Sequence, residues 1–245
     1  MRSIYNEEGV GHLGEGPIVR EVLSTRLFPK FSGLASYKLT GIAKRCDWVV
    51  LSDAHAPNVE VRRNRDTNNP QHVFLSLRQP FAAIKHFGEK ILPDLRSNFV
   101  LVTGSEDVTV PQQLDARWRP FNVDERAIFQ RILDHPYLIH WYAENLDQKI
   151  HEKVSPIPLG LVFADGQHPD NIVHNDVPRL ASRPIRAFCS HRHRDGQQWQ
   201  IRKKVSELAV GPWSSFTTHP DSELPEAEFY AQLQTHSFVV CVEGG

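Results

Sequence analysis

Three groups of residues in this sequence have types and spacing suited to chemistry. Asp53, the Glu106/Asp107 pair and Glu144 each stand just beyond an apolar run, where a carboxylate can take a proton from a hydroxyl. Ser190-His191-Arg192-His193-Arg194-Asp195-Gly196 gathers cations into one polar stretch. Such side chains can neutralise a diphosphate, with Arg192 and Arg194 the leading candidates and Arg202 in support, or can form a plain solvated loop of charges. Glu243-Gly244-Gly245 stands behind the apolar run Phe238–Val242, and glycines there let backbone N–H groups approach a phosphate or a sugar closely. His191 and His193 alternate without a third nearby ligand, which makes a poor metal site, so no metal enters the reading.

Among the acids, Glu106 and Asp107 follow the firmest strand and are the first choice for a catalytic base. Asp53, with His55 two residues on, is the second. Each of these acids also fits a plain structural role, capping a helix or facing solvent in a turn.

The elements that must position these groups are legible as alternating strands and helices. Strands are expected at Cys46–Ser52, Val73–Leu77, Phe99–Thr103 and Tyr137–Tyr142, with Lys153–Leu161 an edge or extended segment because of Pro156 and Pro158. The charged, Asn-rich segment 58–69 reads as an exposed loop. Helices are expected over Phe81–Leu92, with Phe81, Ile84, Phe87 and Ile91 on one face, and over Asp124–Leu133, with Ile128, Phe129 and Ile132. This alternation predicts a parallel, doubly wound sheet whose acid turns all open on one edge. A second series follows: strand Ile185–Cys189, helix Gln197–Leu208, strand Trp213–Thr217, helix Pro225–Gln234, and a buried strand over Ser237–Val242.

The domain reading is an irregular lead-in over 1–44, an α/β domain over 45–165, a polar linker over 166–184 and the first half of a second α/β domain over 185–245. The lead-in holds one short helical candidate, Ile18–Leu27, and reads as a loop that packs over a neighbouring domain or another chain. The expected fold class is therefore α/β with two Rossmann-like domains, the second incomplete.

Composition narrows the function. The 28 Lys and Arg balance 29 Asp and Glu, which argues against a general nucleic-acid binder. Cys46, Cys189 and Cys241 each abut or sit within apolar runs and read as buried hydrophobes, and without a CxxC pair they offer no thiolate zinc site. The sparse, odd cysteine count suits a reducing compartment. No signal peptide and no apolar run of about 20 residues is visible, so the chain reads as cytoplasmic, an anchored or secretory-pathway parent remaining open. The phosphate-loop, nucleophile-elbow and HExxH patterns are all missing, which weighs against a phosphate-handling hydrolase.

Four segments together resemble the exostosin-like glycosyltransferases: FVLVTGSEDVTVP at 99–111, HPYLIHWYAENLD at 135–147, SPIPLGLVF at 155–163 and LQTHSFVVCVEGG at 233–245. Their order and spacing match across roughly residues 100–245. The resemblance implies two Rossmann-like domains in the GT-B arrangement, the first holding the acceptor and the second a nucleotide-sugar donor. It implies transfer of a sugar to a glycan or other hydroxyl acceptor without a bound metal. The family's ribose-holding acid follows the glycines, so the chain reads as a C-terminally truncated member. The alternative is a non-catalytic sugar- or nucleotide-binding module of the same fold. Trp141 and Tyr142 suit either stacking on a sugar or core packing, and Asn145 suits a turn or cap.

Overall fold

Trp48–Asp53 is apolar on both of its faces until its last two residues, and a strand of that kind is stable only inside a sheet covered on both sides. It is β1, and all six of its residues are buried. A computed structural model describes residues 24–27, 33–149, 151–160, 178–191 and 199–242. The chain divides into two compact units, Met1–Val162 and Phe163–Gly245.

In the first unit β1 lies between β2 (Ala56–Arg63) and β3 (His72–Ser76), followed outward by β4 (Phe99–Gly104), β5 (Leu138–Ala143) and β6 (Val154–Pro156). Only the β1–β2 pair is antiparallel; the other four pairings are parallel. The unit is thus a mixed α/β structure on a six-stranded, mostly parallel sheet. β2 corrects the expectation of a loop over 58–69. Its side chains are mostly exposed, as expected for charges, but its backbone pairs with β1 from Trp48↔Arg63 to Ser52↔Val59. Charged edge strands resist further pairing, and exposure alone does not distinguish them from loops.

The helices also depart from expectation. α2 (Pro80–His86) starts with Pro80 in the first turn and Gln79 as cap, its side chain accepting from the Ala82 N–H at 3.2 Å. It widens into a π-turn over Phe87–Ile91 and ends in a 3₁₀ turn over Leu92–Asp94. α3 (Val123–Leu133) opens with a capping box made by Asn122 and Glu125. Both helices pack on the face that carries Trp48, Val50, Val73, Leu75 and Leu101. From β3 onward every crossover steps the same way across the sheet, and right-handed crossovers in one direction put their helices on one side. The other face, with Val49, Leu51, Phe74 and Val102, is covered instead by Leu27, Tyr37 and Ala43. Ala43 belongs to α1 (Gly41–Arg45). This unit is therefore wound on one side only. Part of the expected lead-in is the second cover of its own sheet, and residues 24–27, read as the end of a helix, form a bridge and a bend.

The second unit has a parallel three-stranded sheet in the order β8 (Thr217–Thr218), β7 (Ala187–Phe188), β9 (Phe238–Val239). Helices α4 (Gln200–Val210) and α5 (Glu226–Thr235) connect them. Here the direction of winding reverses about β7. The expected buried strand over Ser237–Val242 shrinks to two residues, with Phe238 59% and Val239 43% exposed. As an edge strand paired only with β7, β9 carries side chains that its own unit leaves uncovered. Residues 213–216, expected to open a strand, form the turn that precedes β8. Among the described residues, no helix is long and apolar enough to cross a membrane.

Candidate functional site

The polar groups of the first unit gather where β4 and β5 end. The β4 turn runs Gly104-Ser105-Glu106-Asp107, with Ser105 at φ 77°, a left-handed conformation rare for a side chain with a Cβ. What holds it there is paired on both sides. The Ser105 N–H donates to Glu144 Oε2 at 2.6 Å, and its hydroxyl accepts from the Leu27 N–H at 2.8 Å. Gly104 is required by close approach, because a Cβ there would stand 2.6 Å from Glu144 Oε2 and 2.9 Å from Thr25 Cβ. The β4 turn is thus shaped to receive a carboxylate from the end of β5 and the chain segment 24–27.

That segment delivers Arg26. It is pinned to the strand end beyond β6: the Ser24 hydroxyl and the Thr25 N–H both donate to the Leu159 carbonyl, at 2.9 and 3.1 Å. Leu27 and Thr25 are fully buried. The Arg26 guanidinium then lies 2.9 Å from Glu144 Oε1, 2.5 Å from Asp107 Oδ1 and 4.0 Å from Glu106 Oε1. The contact with Glu144 Oε1 is close but lacks hydrogen-bond geometry, so charge rather than a formed bond holds that oxygen.

Two further arginines complete the cluster. Arg78, on the turn after β3, reaches Glu106 Oε2 at 3.1 Å, and Arg117 reaches Asp107 Oδ2 at 2.8 Å while pairing with Asp115. Asn145 donates to the Glu106 carbonyl at 2.8 Å, fixing the turn, which is the structural role its position suggested. Arg26, Arg78 and Arg117 against Glu106, Asp107, Asp115 and Glu144 leave one net negative charge. The side chains grade from the interior outward: Glu144 is 2% exposed, Glu106 16% and Asp107 40%.

Burial pushes the Asp107 carboxyl up, but the hydrogen bond and charge of Arg26, and then Arg117, outweigh it and hold the group below the ordinary carboxylate range. The Arg117 hydrogen bond, against a smaller effect of burial, holds Asp115 low as well. Burial pulls the Arg26 guanidinium down, but Asp107, Glu144 and Glu106 together raise it above its ordinary value.

Of the residues expected to do chemistry, Glu106 and Asp107 come together here with Glu144. Asp53 does not join them. It ends β1, with β3 between it and β4, and is 1% exposed. Its two oxygens accept from the Gly33 N–H at 2.9 Å and the His55 N–H at 2.7 Å. Those bonds make it the acid of its own turn. Trp141 is core: fully buried, stacked on Phe129 and donating through Nε1 to Thr103 Oγ1 at 2.9 Å. Tyr142 is 38% exposed.

In the second unit, Arg192, Arg194, Glu243, Gly244 and Gly245 lie outside the described residues. Arg202 lies in the first turn of α4, is 6% exposed and sets its guanidinium carbon 4.4 Å from the Trp199 ring centroid. His191, just beyond β7, places Nε2 2.9 Å from both the Ser206 hydroxyl and the Arg202 carbonyl, and His219, just beyond β8, places Nε2 3.2 Å from the same hydroxyl. Among the described residues no cluster of three or more His, Cys, Asp or Glu could hold a metal ion. Two cysteines are buried as expected, whereas Cys241 is exposed beside the uncovered edge strand.

Sequence reasoning missed Arg26, Arg78 and Arg117. Arg78 was within reach, since it follows β3 just as the acids follow their strands. Arg26 and Arg117 stand in stretches without periodicity and reach the acids only through the fold.

The fold and this edge define an α/β protein with a polar, charge-paired site at the carboxyl ends of parallel strands, the edge at which open α/β sheets bind ligands. Compared with known proteins, the chain matches no protein-family model and no curated protein.

Proposed function

We propose that the protein is a glycosyltransferase that moves a sugar from a nucleotide-sugar donor to an acceptor hydroxyl without a bound metal, built on the two Rossmann-like halves of the GT-B arrangement. The acceptor meets the carboxyl edge of the six-stranded sheet, and the donor the carboxyl edge of the three-stranded one. One observation carries the reading: Glu106 is fixed by Arg78 and Asn145 in the β4 turn at the carboxyl edge of the sheet, within a segment that resembles the exostosin-like family. In this role Glu106 takes the proton of the acceptor hydroxyl as its oxygen bonds to the anomeric carbon. The bond from that carbon to the diphosphate breaks, and the nucleoside diphosphate leaves with the electron pair. Asp107, bonded to both Arg26 and Arg117 and held low by them, is the second choice. On the donor side the reading assigns the diphosphate to Arg202, Arg192 and Arg194, and the sugar to Glu243-Gly244-Gly245.

A second reading, a sugar- or nucleotide-binding module without turnover, is favoured by the pairing of every acid in the cluster with an arginine. A panel of nucleotide sugars separates the two, with binding followed by calorimetry and nucleoside diphosphate release by a coupled assay. Release that falls about 10²- to 10⁴-fold in Glu106→Gln, with donor binding kept, supports the transferase. Binding without release by the unaltered chain supports the module, and the lack of both rejects both.

A further inference from the structure

One register row crosses the six-stranded sheet on the face away from α2 and α3: Val49, Phe74, Val102, Tyr142 and Ser155. The first two are fully buried and Val102 is 6% exposed, under the cover that includes Leu27 and Tyr37. Tyr142, next in the row, is 38% exposed. Parallel sheets are normally covered on both faces, and among the described residues the cover of this one stops between β4 and β5. What it leaves open is not an ordinary apolar face. His140 lies two residues before Tyr142 on the same side of β5, with ring centroids 4.6 Å apart and planes inclined by 45°. The His140 ring is held by Ser155, Nε2 to Oγ at 2.9 Å. Two residues beyond Tyr142 stands Glu144, which Arg26 joins to Asp107.

We infer that His140 and Tyr142 form a ring platform that orients the acceptor, resting on the transferase reading above. The occupant it fits is a pyranose unit, whose axial hydrogens give one apolar face and whose hydroxyls need donors and acceptors at the rim. The Tyr142 ring supplies an apolar face, and the His140 ring, inclined to it by 45° and held by Ser155, flanks it, so little freedom is lost on stacking. Past the end of β5 the outermost carboxylate of the charge cluster, Asp107 at 40% exposed, can accept from hydroxyls. With one net negative charge, the cluster disfavours an anionic ring relative to a neutral one. Tyr142 and His140 are thus specificity-determining residues, set apart from Glu106 on the β4 turn.

The test uses the full chain and a panel of methyl glycosides and β-linked disaccharides of glucose, galactose and N-acetylglucosamine, with glucuronic acid as the anionic member. Binding is read by saturation-transfer NMR and calorimetry. The platform predicts ring-proton saturation of a neutral member, affinity about 3- to 10-fold lower in Tyr142→Ala and unchanged affinity in Tyr142→Phe. Melting temperature is followed in each variant. A Tyr142→Ala protein that melts normally and binds as before overturns the platform and leaves the transferase reading intact. Failure of every saccharide to bind also overturns the platform, and nucleotide-sugar turnover in the same preparation then decides the transferase reading separately. Equal loss in Tyr142→Phe and Tyr142→Ala overturns stacking in favour of a hydroxyl contact.

Discussion

Among the described residues Arg26 alone joins Asp107 to Glu144, so replacing it tests the construction of the site. Arg26→Met keeps much of the apolar stem and deletes the guanidinium. Glu144, 2% exposed, then keeps the Ser105 N–H at 2.6 Å and loses the one cation that the described residues give it. Breaking a buried pair by removing one partner costs about 3 kcal/mol. Asp107 adds little: it is 40% exposed, keeps Arg117, and after solvent screening contributes under about 1 kcal/mol. In the Glu144→Gln background, where the buried group is neutral, the same replacement should cost only about 1 kcal/mol. The coupling between positions 26 and 144 is therefore about 2 kcal/mol, well outside the additivity of independent sites.

Urea unfolding of the four proteins at pH 7, followed by tryptophan emission and by hydrogen exchange of the β4 amides, measures that coupling. A value under about 0.5 kcal/mol would refute the claim that Arg26 compensates a buried charge. The pH dependence supplies an independent check. The folded Asp107 carboxyl lies below its ordinary value of 3.8, so its contribution is complete above that value and disappears as pH falls through the folded value. Unaltered protein should lose stability across that acid window, and Arg26→Met should show a shallower decline there, since only Arg117 still holds the group low.

Two further outcomes follow from the same geometry. Gly104→Ala sets a methyl group 2.6 Å from Glu144 Oε2 and 2.9 Å from Thr25 Cβ, and should lower the urea midpoint by the equivalent of about 1–3 kcal/mol; an unchanged midpoint would show that the turn can relax. In native protein at pH 8, a disulfide reagent should label Cys241 alone, because burial and then Asp47 push the Cys46 thiol up to about 12 and burial also raises Cys189; rapid native labelling of either, located by mass spectrometry, would contradict their burial.

The parts of this fold legible in the sequence are those that local pattern determines. Apolar runs such as Phe99–Val102 must be interior strands, and the polar residues after them must lie on one edge once those strands are parallel. β2 escaped because its alternation is short: Val59 and Val61 pack against the core while Asn58, Glu60 and Arg63 face solvent amid a charged segment. The one-sided winding escaped because alternation of strands and helices is the same whichever way each crossover steps. Arg26 escaped for a longer-range reason: it bonds Asp107 across 81 residues of sequence, with no motif at either end.

The last two misses are linked. Since the crossovers all step the same way, α2 and α3 share a face and the opposite face needs a cover from elsewhere. The chain before β1 provides it, laying Leu27, Tyr37 and Ala43 over Val49, Phe74 and Val102. To do so, residues 24–27 cross the carboxyl edge, where Leu159 holds them and Ser105 receives Leu27. A residue at position 26 therefore stands over the ends of β4 and β5 as a consequence of covering the sheet. An arginine there turns three clustered carboxylates from a repulsive group into a paired one. Among the described residues the same cover stops short of β5, where Tyr142 is 38% exposed.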